Sequence, residues 1–169
     1  MGLTNPEKEE VKQVVEEPVV DLDLDLTATR KKRVRINGDN KRILELNVSD
    51  MNTIVRLKDD YPKLIKLANK VTKLKDKTEG STLEEELNSM AETMKSIDDE
   101  MRQIINSIFD SNVSEVCAPD GSMYDLFNGK FRFEHIIEKV ADLYGNNMAN
   151  EFKAVRARID KHTGKYIKK

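Results

Sequence analysis

The sequence predicts an α+β protein that is mostly α-helical, with an N-terminal β-hairpin packed on four to five helices. Two observations lead to this class. The runs RVRIN and RILELN alternate apolar and polar side chains around Asn37-Gly38, which is a strong hairpin signal at about residues 33–47. After residue 50, apolar residues recur at helical spacing. Because an isolated hairpin is only marginally stable in water, we expect helices to cover one of its faces.

The two faces of the hairpin differ in composition. Val34 and Ile36 would lie on one side of the first strand. The second strand could present either Leu44 with Leu46 or Ile43 with Glu45 to the helices.

Several start and stop signals divide the helical region. Ser49-Asp50 is expected to cap a short helix that Asp60-Tyr61-Pro62 ends, and Pro62 would begin a second helix. Thr82 and Glu85 form a capping-box pattern for a longer third helix. Its apolar residues follow a near-heptad seam: Leu83, Leu87, Met90, Met94, Ile97, Met101, Ile104, Ile105 and Ile108.

The near-heptad seam of the third predicted helix has two interpretations. We favour packing inside the domain, against residues 62–75, as an antiparallel helical hairpin. The alternative is an intermolecular coiled coil, and hence self-association. Met90, Met94 and Met101 would make either surface adaptable.

Aromatic residues concentrate in a late unit at 124–144. Ser122 is predicted to cap a short turn, and Asn128-Gly129 to provide a left-handed stop after it. Phe131 and Phe133 then lead into a last helix that carries Ile136, Ile137, Val140, Leu143 and Tyr144. We expect this unit to close the core or to dock a partner, with Phe127, Phe131 and Phe133 anchoring the last helix.

Composition favours one modest domain with two tails. Of 169 residues, 36% are charged and 38% hydrophobic, which predicts a lean core. The net charge of −2 does not favour a polyanion as partner. Cys117 is the sole cysteine, so an internal disulfide and a cysteine-built zinc site are excluded. No apolar run approaches the roughly 20 residues of a membrane span, so we expect an intracellular protein with no membrane partner.

The tails carry opposite charges. Residues 1–31 form an acidic tail that we expect to be largely disordered, although VVDLDLDL within it alternates at strand period and could add to a sheet edge. A calcium site at Asp21, Asp23 and Asp25 is disfavoured because the loop glycine and distal glutamate are missing. Residues 32–152 form the domain, and residues 153–169 a basic helix end and tail. We favour a solvated tail there over a nucleic-acid arm, since only Tyr166 offers base stacking.

Candidate catalytic residues are sparse. His135 and His162 are far apart in sequence, and Cys117 has no neighbouring histidine. Asp98-Asp99-Glu100 is expected on a solvated helix face, and Asp120 and Asp125 in cap or turn roles. We therefore predict no enzymatic activity, no metal and no cofactor.

The hairpin, the SDMNTIVRLKDDYPKL segment, the long helix and SMYDLFNGKFRFEHIIEKVADLY together resemble tail assembly chaperones of long-tailed, siphovirus-type bacteriophages of Gram-positive hosts. Leu126-Phe127-Asn128-Gly129 resembles the family's late signature, although the loop before it lacks the usual glycines. The resemblance spans roughly residues 32–147.

This resemblance implies a chaperone that coats the tape-measure protein, recruits tail-tube subunits and is absent from the finished virion, in the host bacterial cytoplasm. Rival functions are a structural virion or head–tail connector component and a small nucleic-acid-binding regulator that uses residues 153–169. The predicted partner-binding residues are Met90, Met94, Met101, Tyr124, Leu126, Phe127, Phe131 and Phe133.

Overall fold

The computed structural model describes residues 31–74 and 81–163, apart from the side chains of 151 and 158–163. It confirms the predicted class: an N-terminal β-hairpin is followed by helices, with a second, very small hairpin near the end. The predictions for residues 1–27, among them the disordered tail and the disfavoured calcium site, lie outside the described residues.

The first hairpin pairs β1 (Lys32–Arg35) with β2 (Ile43–Leu46) in antiparallel register, with Val34 opposite Leu44. Asn37 and Gly38 both adopt positive φ, at 52° and 73°, as the Asn-Gly pair predicts. Leu44 and Leu46 are fully buried, so they are the pair that faces the helices.

Helix α1 (Asn52–Thr72) is continuous, and the predicted break at Pro62 is wrong. The N-cap is Met51, which makes no side-chain cap bond, so the predicted cap is displaced by one residue, although the Asp50 carboxylate accepts the Asn52 N–H at 3.0 Å. Pro62 and Lys58 both lie on the exposed side of the helix, where water can bond the carbonyl that a proline leaves free. Beyond the proline, burial of Leu64 and Leu67 holds the helix in place.

Helix α2 (Leu83–Phe109) begins at the predicted capping box, with Thr82 and Glu85 bonding each other's backbone N–H groups. It packs against α1 in antiparallel orientation, since Arg56 near the start of α1 donates to the Ile108 carbonyl at 2.8 Å. We call the near-heptad seam on this helix the α2 seam. The favoured interpretation, packing inside the domain, is therefore confirmed for its second half, from Ile97 to Ile108. The buried seam residues are Ile97, Met101, Ile105 and Ile108.

A short helix, α3 (Val113–Cys117), and a loop lead to a second hairpin of β3 (Leu126–Phe127) and β4 (Lys130–Phe131). Asn128 and Gly129 have the predicted left-handed φ values, 51° and 77°, but they form the two-residue turn of this hairpin and do not end a helix. A two-residue turn with both φ positive matches the twist of paired strands, so strand pairing replaces the predicted stop.

The last helix, α4 (Arg132–Thr163), is attached to the preceding loop at its first turn. Arg132 N–H donates to the Asp125 carbonyl at 2.7 Å, and Phe133 N–H to the Met123 carbonyl at 3.0 Å. One hydrophobic core contains side chains from the first hairpin, from the loop before the second hairpin and from helices α1, α2 and α4. Its largest fully buried side chains are Phe109, Phe133, Leu44, Leu46, Leu64, Met101, Ile105, Ile108 and Met123.

Candidate protein-binding surface

The most buried ion pair of the described residues supports the loop that precedes β3. Arg102 Nε lies 2.7 Å from Asp98 Oδ2, and the two side chains are only 18% and 16% exposed. Arg102 also donates to the carbonyls of Ser114, Ala118 and Gly121, while Asp98 accepts the Met123 N–H at 2.6 Å. The prediction that Asp98 lies on a solvated face is wrong, because its side chain is mostly buried and bonds both Arg102 and the loop.

A second arginine holds the small hairpin. Arg132 Nη2 lies 2.9 Å from Asp125 Oδ2, which also accepts the Ser122 N–H, so the predicted turn role of Asp125 is confirmed. The guanidinium lies 5.0 Å from the centre of the Phe127 ring, within cation–π range. This hairpin therefore presents a supported aromatic residue, with Leu126 and Phe127 still 66% and 47% exposed.

An open groove of about 580 Å³ lies between α1 and α4, and we call it the α1–α4 groove. Its α1 side presents Ile54, Leu57 and Tyr61, and its α4 side Ile137 and Ala141. Three apolar side chains at the start of α1, of which Ile54 lines the groove, are at least half exposed. They are Met51, Ile54 and Val55. An apolar groove with exposed apolar side chains in its lining is typical of a binding site.

Charge around the α1–α4 groove is mostly negative. Glu134, Glu138 and Asp142 line its α4 side, with Glu138 paired to Lys130, and Lys58 is the cation that lines it from α1. Burial, reinforced by the carboxylates of Glu134 and Glu138, raises the pKa of Tyr61. The groove thus combines an apolar floor with an acidic wall along one helix.

A second apolar groove, of about 470 Å³, lies between β1 and the opposite side of α4, and we call it the β1–α4 groove. Cys117 and His135 both contribute to its lining. Burial raises the pKa of the Cys117 thiol, so the thiol is neutral at pH 7. His135 is half-buried, and its Nε2 lies 2.9 Å from the Phe127 carbonyl oxygen.

The residues predicted to bind a partner occupy very different environments. Met101 and Phe133 are fully buried, so the structure does not offer them to a partner. Met90 and Met94 are half-buried on α2, and Tyr124 and Phe131 are half-buried in the late unit. The structure does not combine the eight residues into one surface, because the buried members belong to the core.

The anchoring role predicted for the three phenylalanines is divided in the same way. Phe133 is in the core and stacks on Phe131 with 5.8 Å between ring centres. Phe127, in contrast, is about half exposed, and its ring lies against the Arg132 guanidinium. Phe127 is therefore a surface residue and not an anchor.

Sequence analysis missed the α1–α4 groove. It predicted a short helix with Met51, Ile54, Val55 and Leu57 as its apolar residues and did not identify which of them are exposed. Their distribution was the available signal: Ile54 and Val55 are adjacent and, with Met51, widen the apolar stripe beyond what one packed face can bury.

No family model, curated protein or solved structure matches this chain. Among the described residues, no helix combines the length and apolar character needed to cross a bilayer.

Proposed function

We propose that this protein is a non-enzymatic, tail-assembly-type chaperone whose α1–α4 groove binds an apolar helix of a long partner protein. The observation that carries the proposal is the apolar lining of this groove, in which Ile54 is half exposed and lies with Ile137 and Ala141. Helix-in-groove recognition uses this arrangement, an apolar floor that accepts side chains at helical spacing.

The charges around the groove define the partner further. Glu134, Glu138 and Asp142 on α4 would meet the flanks of the bound helix. The groove therefore favours an amphipathic helix that carries lysine or arginine beside its apolar stripe. An acidic wall also disfavours nucleic acid at this surface, because phosphates would be repelled.

The resemblance to phage tail assembly chaperones supplies the class of partner. In this proposal the partner is the tape-measure protein, a long helical protein with many apolar stripes, and the complex recruits tail-tube subunits in the cytoplasm of a bacterial host. Binding at one groove per chaperone would be weak, and repetition along the tape-measure protein would supply the avidity.

Co-expression tests this function. The tape-measure protein encoded by the same genome is produced with and without this chain, and its soluble fraction is measured. We expect the soluble fraction to rise with the wild-type chain and to fall back with Ile54→Glu. Leu83→Glu is the matched control, since Leu83 is also exposed but lies on α2, outside the α1–α4 groove.

Two results would reject the proposal. One is a tape-measure protein that stays equally insoluble with and without the chain. The other is recovery of this chain in purified mature particles, which would favour the structural-component function.

A further inference from the structure

The outer edge of β1 is suited to accept another strand. Ile36 N–H donates to the Arg42 carbonyl at 2.9 Å, and hydrogen-bonded pairs alternate along an antiparallel ladder. The N–H groups of Arg33 and Arg35 therefore point away from β2. In the part of the chain that the structure describes, β2 is the only strand paired with β1.

The two faces of β1 differ in the side chains that they offer along this edge. Val34 and Ile36 lie on the inner face and line the β1–α4 groove, together with Ile136 and Leu143 of α4. Arg33 lies on the outer, exposed face, where its Nε is 3.4 Å from Glu45 Oε1 of β2. Because side chains alternate along a strand, Arg35 shares that outer face. An incoming strand must present apolar residues inward and acidic residues outward.

We propose that residues 20–26 of the same chain add to this edge as a third, antiparallel strand. Their sequence, VDLDLDL, has the required alternation. When Asp25 lies opposite Arg33, the register also places Asp23 opposite Arg35. In this same register Leu24 lies opposite Val34 and Leu22 opposite Ile36, so the charged and apolar sets are both matched.

Chain connectivity permits this pairing. Residues 27–31, TATRK, are all that separates the added strand from β1. A connection of this length is ordinary for a β-hairpin, and strands adjacent in sequence usually pair with each other. The added strand and β1 would thus form a further hairpin that shares β1 with the β1–β2 hairpin.

The charges of the outer face support the same register. The row formed by Asp25, Arg33 and Glu45 would place one cation between two carboxylates, and Asp23 would lie beside Arg35. Opposite charges directly across two strands stabilise pairing, whereas like charges destabilise it. A one-residue slip would instead place the aspartates over the β1–α4 groove and the leucines in water.

This strand would cover one of the two apolar grooves that flank α4. Leu22 and Leu24 would fill the β1–α4 groove, and the α1–α4 groove would remain open. For residues 20–26 the inference departs from the expectation of a disordered tail. It does not depend on the identity of any partner, so it can succeed or fail independently of the proposed function.

Amide exchange measured by NMR on the full chain tests the pairing. We expect the Arg33 and Arg35 amides to exchange slowly in the wild type and at least about tenfold faster in Asp23→Arg/Asp25→Arg, because unpaired edge amides open readily. Glu9→Arg/Glu10→Arg is the matched control, with the same charge change in the same tail but outside the strand. Combining the first variant with Arg33→Asp/Arg35→Asp should restore part of the protection.

A cross-link identifies which chain provides the strand. Asp25→Cys/Arg33→Cys is made in a Cys117→Ala background, with Glu10→Cys/Arg33→Cys as control, and both are oxidised at low protein concentration. A cross-linked monomer, formed more completely than in the control, is the expected result. A cross-linked dimer would assign the strand to a second copy. That result, no excess over the control, or Arg33 and Arg35 amides that exchange equally fast in wild type and variant, would overturn the inference.

Discussion

Asp98 and Arg102 lie one turn apart on α2, and together they hold the segment from Ser114 to Met123 against that helix. The carboxylate bonds both the guanidinium, at 2.7 Å, and the Met123 N–H, at 2.6 Å. The guanidinium bonds three carbonyls of the same segment. These two side chains thus hold in place a segment that contains no helix or strand between the end of α3 and the start of β3.

Replacement of Arg102 by lysine should lower the free energy of unfolding by about 2–4 kcal/mol. A lysine keeps the charge but cannot reach Asp98 and three carbonyls at once, so buried acceptors lose their partner. Thermal or chemical unfolding measures the change. Lys95→Met, on an exposed position of the same helix, should change stability by less than about 0.5 kcal/mol. Equal effects of the two variants would show that the loop is held by other contacts.

Gly121→Ala should destabilise the protein more than Gly129→Ala. Both glycines have φ near +78°, at 79° and 77°, so an alanine is strained at either site. At Gly121 an added Cβ would also lie 2.6 Å from Asp125 Oδ2 and 2.7 Å from Arg132 Nη2, whereas at Gly129 it meets open space. Chemical unfolding of both variants separates the clash from the strain. Equal losses would mean that the Asp125–Arg132 pair shifts without cost.

Phe133→Ala should lower the free energy of unfolding by about 3–5 kcal/mol, as expected for a large core side chain. Phe127→Ala should cost about 1 kcal/mol, because its ring is 47% exposed and loses mainly the contact with Arg132. Melting temperatures of the two variants test this order. A Phe127 variant as unstable as the Phe133 variant would place the small hairpin in the core.

Local sequence patterns predicted the elements that local interactions determine. Asn37-Gly38 gave the first hairpin turn, and Thr82 with Glu85 gave the start of α2, because each depends on neighbours only a few residues away. The continuity of α1 through Pro62 depends on the burial of Leu64 and Leu67, which no local pattern shows.

Contacts between residues that are distant in sequence form the candidate site, so local sequence patterns did not predict it. The α1–α4 groove exists because side chains of two helices some 80 residues apart in the chain, among them Ile54 and Ala141, line the same space. Met101 and Phe133 were predicted to bind a partner because apolar spacing alone does not distinguish a buried stripe from an exposed one. Because Leu83 and Leu87 are exposed, the coiled-coil interpretation stays a prediction for the first half of the α2 seam.

The Asp50–Arg56 pair should make stability depend on pH. The hydrogen bond from Arg56, at 2.7 Å, lowers the pKa of Asp50 below its ordinary value of 3.8, against the opposing effect of burial. A lowered pKa contributes stability that is complete above the unfolded-state pKa, about 3.9, and is lost as the pH falls through the folded-state pKa.

Asp50→Asn should therefore cost about 1 kcal/mol between pH 5 and 7, and the difference from wild type should shrink below pH 4. Urea unfolding at several pH values measures it, with the exposed Asp59→Asn as control. A difference that stays constant down to pH 2 would assign the effect to lost packing instead of charge.

The affinity of the α1–α4 groove for an apolar helix tests the central claim most directly. Isothermal titration of the full chain with a helical peptide from the tape-measure protein, one with lysine or arginine beside its apolar stripe, provides the measurement. We expect Ile54→Glu to weaken binding roughly tenfold or more, about 1.4 kcal/mol, because it places a charge in the apolar contact. Leu83→Glu should leave the affinity within about twofold of wild type. Equal affinity of wild type and Ile54→Glu, or a loss seen only with Leu83→Glu, would contradict binding in this groove.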